Sequence, residues 1–131
     1  MALTTADHIE IRDLVARYNH AVDSGDGDGY ADTFIDTGVL EAGELLVEGR
    51  DALAAFAVGL PKSQRAPRHI ASNLVVSGDG DHATVAAYVQ MYTLVGDPPR
   101  QEVAASGRYA DQLVRSDGRW LFVRRVFTSD A

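Results

Sequence analysis

Residues 68–95 read RHIASNLVVSGDGDHATVAAYVQMYTLV, and this stretch decides the fold class of the chain. Its two long runs, 68–77 and 82–95, are rich in β-branched and aromatic residues, which favour extended backbone. The GDGD segment at 78–81 is short and consists of residues typical of tight turns. The stretch therefore predicts an antiparallel β-hairpin.

Two further runs of the same character follow this hairpin. They cover Val103–Arg115 and Arg119–Ser129, and they are set off by turn residues at 96–99 and 117–118. Turns placed this close together connect neighbouring antiparallel strands. The second half of the chain is therefore predicted to form a four-stranded meander.

The N-terminal half carries helical signals instead. Thr4 and Thr5 can cap a helix that should end near Ser24, because Gly25 is the residue type usually found just past a helix end. Apolar residues recur within it at spacings of three and four, as on one face of an amphipathic helix. This face comprises Ile11, Leu14, Val15, Tyr18 and Val22.

Shorter elements are predicted between the first helix and residue 68. They are a turn at 25–29, a short helix with Tyr30, Phe34 and Ile35 facing inward, a hairpin of the runs Val39–Ala42 and Leu45–Glu48, a third helix at Arg50–Val58 and a loop at Pro61–Pro67. Helices followed by a long meander predict one α+β domain over residues 1–131, in which a curled sheet carries helices on one side.

Composition argues against several classes of function. Twelve basic and 19 acidic residues give a net charge of −7, which disfavours binding to nucleic acids or to anionic membrane surfaces. The chain has no cysteine, so disulfides and thiolate chemistry are excluded, and the cytoplasm is the expected compartment. No phosphate-binding loop, dinucleotide fingerprint, serine-hydrolase elbow or metal-binding histidine spacing is present, so we expect no cofactor and no metal.

His69 and Asp23 are the first candidates for chemistry. Strict alternation places His69, Ala71, Asn73 and Val75 on one face of their strand, so His69 could point into a cavity. It could equally be an inert histidine bonded to a backbone carbonyl. Asp23 lies at a helix C-terminus, where the helix dipole disfavours an anion, so it is either solvated or held there by a partner. If the two meet, Asp23 can orient the imidazole and leave its other nitrogen basic.

Several other polar or aromatic residues fall in elements that would surround a cavity. A tyrosine there can hydrogen-bond a substrate oxygen, or it can simply pack. His8, His20 and His82 rank lower, since they are expected to lie at exposed positions or near helix and strand ends. Trp120 is expected in the core. We expect Arg108, Arg124 and Arg125 to face outward, with anion binding as the alternative. The predicted substrate-binding residues are Tyr88, Tyr92, Tyr109, Asn73 and Phe34, and Tyr18 is predicted to take part in catalysis with His69 and Asp23.

Three segments in this order resemble SnoaL-like domains of the nuclear transport factor 2-like superfamily. They are residues 11–18 with 21–23, the His-x-x-x-Asn-Leu pattern at 69–74, and residues 107–109 leading into 117–120. The resemblance implies a cone-shaped, mixed or antiparallel sheet packed against three helices. It is strongest to the branch that includes scytalone dehydratase, in which an Asp at the end of the first helix and a His on a long strand are catalytic. Asp23 and His69 fill these positions, and Tyr18 matches a helix tyrosine of a related bile-acid dehydratase. The second catalytic histidine of scytalone dehydratase has no counterpart near Gln90–Tyr92.

Two functions remain open at this stage. The first is a cofactor-independent lyase or isomerase, of dehydratase or cyclase type, that acts on a small cyclic and largely apolar substrate such as a polyketide-like or steroid-like compound. The second is a non-enzymatic module for small-molecule binding or oligomerisation, or an accessory subunit of an oxygenase. The resemblance also implies a homodimer or homotrimer.

Overall fold

The computed structural model describes all 131 residues, in three helices and six strands. The helices are α1 (Thr5–Ser24), α2 (Gly27–Ala31) and α3 (Arg50–Ser63). The strands are β1 (Phe34–Ala42), β2 (Leu45–Glu48), β3 (Arg68–Asp79), β4 (His82–Val95), β5 (Arg100–Ser116) and β6 (Arg119–Ser129). The predicted α+β architecture is confirmed.

The six strands form one mixed sheet in the order β2-β1-β6-β5-β4-β3. All neighbours are antiparallel except β1 and β6, which run parallel. Helix α1 packs against β3 and β6, and α3 packs against α1, α2, β1 and β2. The three helices therefore cover one face of the sheet, and the candidate residues Asp23 and His69 meet between these two layers.

Three local predictions in the first half of the chain are wrong. Phe34 begins strand β1 and is not part of a second helix. Helix α2 already begins at Gly27, because the Asp26 carboxylate caps it by accepting a hydrogen bond from the Gly29 backbone N–H at 2.9 Å. Helix α3 runs through Pro61 to Ser63, and a backbone bond from Gln64 to the Leu60 carbonyl closes its final turn.

A β-bulge in β3 changes which of its residues face the helices. The pairing with β4 shifts register between Ser72 and Val75, and Asn73 adopts a left-handed φ of 54°. Beyond this point Leu74 packs against the core, whereas Asn73 and Val75 are exposed. The alternation predicted for residues 69–75 therefore holds only for His69 and Ala71, because one extra residue reverses the faces.

Asn73 should matter for stability through its backbone conformation. A left-handed backbone costs a residue other than glycine roughly 1–2 kcal/mol, and asparagine tolerates it better than most. We expect Asn73→Val to lower the free energy of unfolding by about this amount and Asn73→Gly to leave it nearly unchanged. Urea denaturation of the two variants tests this, and equal midpoints would contradict it.

Asp7 links the start of α1 to strands β5 and β6. Its carboxylate accepts hydrogen bonds from the Thr4 backbone at 2.8 Å, from the Trp120 indole at 3.1 Å and from Arg115 at 2.8 Å. The Thr4 hydroxyl accepts the Asp7 backbone N–H in return, which completes a capping box. These donors, with the Thr4 backbone bond foremost, lower the pKa of Asp7 to about 2.

The Asp7 carboxylate should contribute to the free energy of unfolding only at pH values where it is ionised. A folded-state pKa of about 2, below the ordinary 3.8, means that the contribution is present above pH 4 and is lost as the pH falls from 4 towards 2. We expect Asp7→Asn to lower the melting temperature at pH 7 and the deficit to shrink over that interval. Thermal denaturation of both proteins between pH 7 and pH 2 measures the effect. A deficit independent of pH would contradict it.

Candidate active site

Asp23 and His69 form a direct contact. The His69 ring nitrogen Nδ1 lies 2.6 Å from Asp23 Oδ1, and the His69 backbone N–H donates to Asp23 Oδ2 at 2.9 Å. Because an ionised carboxylate can only accept, Nδ1 carries the proton, and the other ring nitrogen, Nε2, presents its lone pair. Nε2 makes no hydrogen bond to the protein. Both side chains are largely shielded from water, with 14% and 11% of their surfaces exposed.

Local sequence explains why these two residues can meet. Helix α1 ends at Ser24, where Gly25 takes a left-handed φ of 73° and donates to the Ala21 and Val22 carbonyls. Asp23 thus projects from the last turn of α1 towards β3, whose second residue is His69. The carboxylate is unfavourably placed for the helix dipole, and the two N–H groups of His69 offset that cost.

A cavity of about 160 Å³ lies between α3 and the sheet, beside His69. Its lining is apolar except for His69 and the hydroxyls of two tyrosines. Asp23 does not line it, so the carboxylate approaches the imidazole from outside the cavity. The lining residues are Tyr18, Leu40, Ala42, Phe56, Leu60, His69, Val89, Met91, Ala105, Tyr109 and Phe127.

Tyr18 and Tyr109 stand next to each other in the cavity wall, with ring centroids 6.1 Å apart. Burial raises the pKa of both phenols well above the ordinary value of 10, so both are neutral and can donate a hydrogen bond. The Tyr30 hydroxyl donates to the Tyr18 oxygen at 2.8 Å. That bond uses the Tyr18 oxygen as acceptor and leaves the Tyr18 proton for another partner.

The other predicted pocket residues do not line this cavity. Phe34 is buried behind Tyr18, with its ring centroid 6.1 Å away, and so supports the wall. Tyr92 is half-buried on the outer face of the sheet. Asn73 and Tyr88 border a separate groove on that outer face, with Arg108 and Thr128. Tyr88 and Tyr92 point away from the cavity because side chains alternate along β4, and its odd-numbered residues are the ones that face the helices.

A buried ion pair lies directly behind the two tyrosines. Arg125 donates to Asp111 from Nε at 2.9 Å and from Nη2 at 3.1 Å, and neither side chain is exposed. The guanidinium carbon lies 3.5 Å from the Tyr109 ring centroid and 4.3 Å from that of Tyr18. The prediction that Arg125 faces outward is therefore wrong, whereas Arg124 is half-exposed and pairs with Glu41.

A larger and more open groove lies on the other side of the dyad, between α1 and β3. Its volume is about 770 Å³, and it is bordered by Arg12, Asn19, His20 and Arg68 as well as by Asp23 and His69. His20 is exposed there, as predicted. The dyad thus lies between a larger open groove and a small apolar cavity.

No three histidine, aspartate or glutamate side chains come together in an arrangement that could hold a metal ion. None of the helices has both the length and the apolar character needed to cross a membrane.

Comparison with known proteins agrees with this architecture. The sequence profile of the SnoaL-like domain matches residues 4–126. The chain belongs to the SnoaL-like family. The family resemblance inferred from three short segments is thereby confirmed. No curated protein sequence matches the chain significantly.

Solved structures of several other proteins share the fold. A protein of unknown function from Mycobacterium tuberculosis is 28% identical, with a TM-score of 0.89, over 95% of this chain and 72% of that protein. A nuclear transport factor 2-like protein from Novosphingobium aromaticivorans is 25% identical, with a TM-score of 0.88, over 95% and 82%. A candidate scytalone dehydratase from the same organism is 22% identical, with a TM-score of 0.84, over 96% and 85%, which supports the fold alone.

Proposed function

We propose that this SnoaL-like protein is a cofactor-independent lyase or isomerase in which His69 acts as the general base. The observation that carries the proposal is the 2.6 Å contact between Asp23 and His69 beside an apolar cavity. A histidine whose Nδ1 is held by a carboxylate presents Nε2 to a substrate, and the carboxylate stabilises the imidazolium that forms on proton uptake.

The proposed reaction begins with removal of a proton from a carbon next to a carbonyl group. Nε2 of His69 takes the proton, and the electron pair moves onto the carbonyl oxygen to give an enolate. Tyr18 is placed to donate a hydrogen bond to that oxygen, with Tyr109 beside it. The enolate then expels a hydroxyl group that takes the proton from His69, regains the proton at another carbon, or attacks a second carbonyl whose oxygen takes the proton from His69. These outcomes correspond to dehydratase, isomerase and cyclase chemistry.

The low polarity of the cavity would strengthen this chemistry. Hydrogen bonds and charge interactions act more strongly where water is excluded, and neutral phenols can stabilise developing oxyanions. The cavity has no carboxylate of its own, because Asp23 contacts the imidazole from outside it. The base and the groups that receive the negative charge would therefore act from different walls.

Proton abstraction can be tested before the natural substrate is identified. All three reactions share the exchange of a proton next to a carbonyl, so the purified protein should catalyse hydrogen–deuterium exchange into small cyclic ketones in D₂O. Proton NMR follows the loss of the α-proton signals. A panel of such ketones that exchanged no faster than in buffer would argue against the proposal.

The alternative function is a small-molecule carrier that binds the same apolar cavity without chemistry. It is favoured by the lining, in which only His69, Tyr18 and Tyr109 carry polar side-chain atoms. A carrier would bind cyclic ketones without accelerating their exchange, so the same experiment separates the two functions.

The predicted homodimer or homotrimer remains a proposal as well. The outer face of the sheet exposes large apolar side chains that a second copy could cover. These are Ile70, Val75, Tyr88 and Val103, which are 50–63% exposed.

A further inference from the structure

The size of the cavity beside His69 restricts what can occupy it. An apolar protein cavity of about 150 Å³ holds a single benzene ring. The cavity here, at about 160 Å³, is of the same size. A molecule with one six-membered ring fills it, so any further ring must extend through the open side of the cavity.

The cavity cannot enlarge easily at its inner end. The Tyr18 ring packs against those of Tyr30, Phe34 and Phe122 at centroid distances of 4.7–6.1 Å, and Tyr18 itself is 3% exposed. Behind these rings lies the buried Arg125–Asp111 pair. Shifting this wall would disturb several close-packed rings and a buried ion pair, so its position is fixed by the core.

The lining also limits the charge of the occupant. His69 is the only ionisable side chain in it besides the two neutral tyrosines, and its Nδ1 is already paired with Asp23. Arg125 stacks behind the tyrosine rings and does not line the cavity. A carboxylate or an ammonium group placed here would lose its hydration without gaining an ionic partner of its own.

The hydrogen-bonding side chains of the cavity are confined to Tyr18, Tyr109 and His69. Because Tyr30 donates to the Tyr18 oxygen, the Tyr18 proton is available to a ligand acceptor. The remaining walls, formed by residues such as Leu40, Leu60 and Val89, offer no side-chain donor or acceptor. A second polar group directed at them would be left unpaired, which is costly in an apolar site.

We infer that the substrate presents a neutral single ring to His69, with a carbonyl or enol oxygen directed at Tyr18 and no second ring fused beside that oxygen. This inference rests on the proposed function for the chemistry at His69. The size and charge limits rest on the cavity alone.

The inference predicts a binding order among simple probes. Cyclohexanone should bind to the wild-type protein, and 1-tetralone, whose second ring is fused beside the carbonyl, should bind at least about tenfold more weakly. Benzoate, which has one ring and a negative charge, should also bind at least about tenfold more weakly. Ligand-detected NMR titrations measure all three. Binding of 1-tetralone or benzoate as tight as that of cyclohexanone would overturn the inference.

Two variants test whether this cavity is the binding site. Met91 and Ala105 are paired across β4 and β5, and both line the cavity. Met91→Ala should admit 1-tetralone and raise its affinity about tenfold, whereas Ala105→Phe should fill the cavity and weaken cyclohexanone binding about tenfold. Val75→Ala, which removes an exposed side chain from the outer face, is the matched control and should change neither affinity. Unchanged affinities in Ala105→Phe would place binding elsewhere and overturn the inference.

Failure of the size limit and failure of the proposed function give different results. If cyclohexanone binds in the cavity but its α-protons exchange no faster than in buffer, the occupant is as inferred and His69 is not a base. If the protein catalyses exchange of 1-tetralone, His69 is a base and the single-ring limit is wrong.

Discussion

Replacement of His69 by alanine is expected to reduce catalysed deuterium exchange by about 10²–10⁴-fold, which is the usual contribution of a positioned general base. The imidazole is the only group in the cavity that can accept a proton at neutral pH, because the two neighbouring phenols are neutral and remain protonated. Asp23→Asn should cause a loss within the same range, since the amide cannot stabilise an imidazolium. NMR exchange rates for a ketone that the wild-type protein accepts provide the measurement.

His20→Ala is the matched control for these two variants. His20 lies on the same helix as Asp23, is exposed, and borders the open groove on the other side of the dyad. Its replacement should leave the exchange rate unchanged. If His20→Ala lost activity while His69→Ala kept it, the chemistry would lie in the groove, and the assignment to the apolar cavity would be wrong.

Replacement of Arg125 by methionine is expected to lower the free energy of unfolding by about 3–5 kcal/mol, because Asp111 is then left buried without a partner. Replacing both residues, as Arg125→Met with Asp111→Leu, should restore most of that loss, since apolar side chains of similar volume often substitute for a buried ion pair at little cost. Urea denaturation of the wild type, both single variants and the double variant completes the thermodynamic cycle.

The neighbouring residue supplies the control for this cycle. Arg124 pairs with Glu41 at 3.0 Å, but both side chains are about 40% exposed. Arg124→Met should therefore cost less than about 1 kcal/mol. Equal losses for Arg124→Met and Arg125→Met would show that burial of the Arg125–Asp111 pair is not what makes it important.

Much of the fold could be predicted because the information is local. The three- and four-residue spacing of apolar side chains marks α1, and its end at Gly25 follows from the conformational freedom of glycine. The bounds predicted for β4 and β6 agree with the structure, since turn residues lie directly beside both strands. Asp23 could also be singled out locally, because an acidic residue at a helix C-terminus requires a compensating partner.

The placement of several site residues could not be predicted from alternation. A bulge at Asn73 reverses the faces of β3, and a register shift between β5 and β6 near Gln112 does the same for β6. Arg125 therefore points inward, where it meets Asp111 as its cross-strand partner. The sequence contains one signal for this buried pair. Asp111 lies two residues from Tyr109 and from Leu113, which are both buried, so it faces the core on the same side of β5 and requires a cationic partner there.

The sequence by itself determined the order and type of the elements and the family, and it singled out Asp23 and His69 without deciding that they meet. Only the tertiary structure decided which tyrosines share a wall with His69, which arginine is buried behind them, and how small the cavity is. The reason is that periodicity is encoded in neighbouring residues, whereas bulges, cross-strand pairing and cavity volume depend on how distant segments pack against one another.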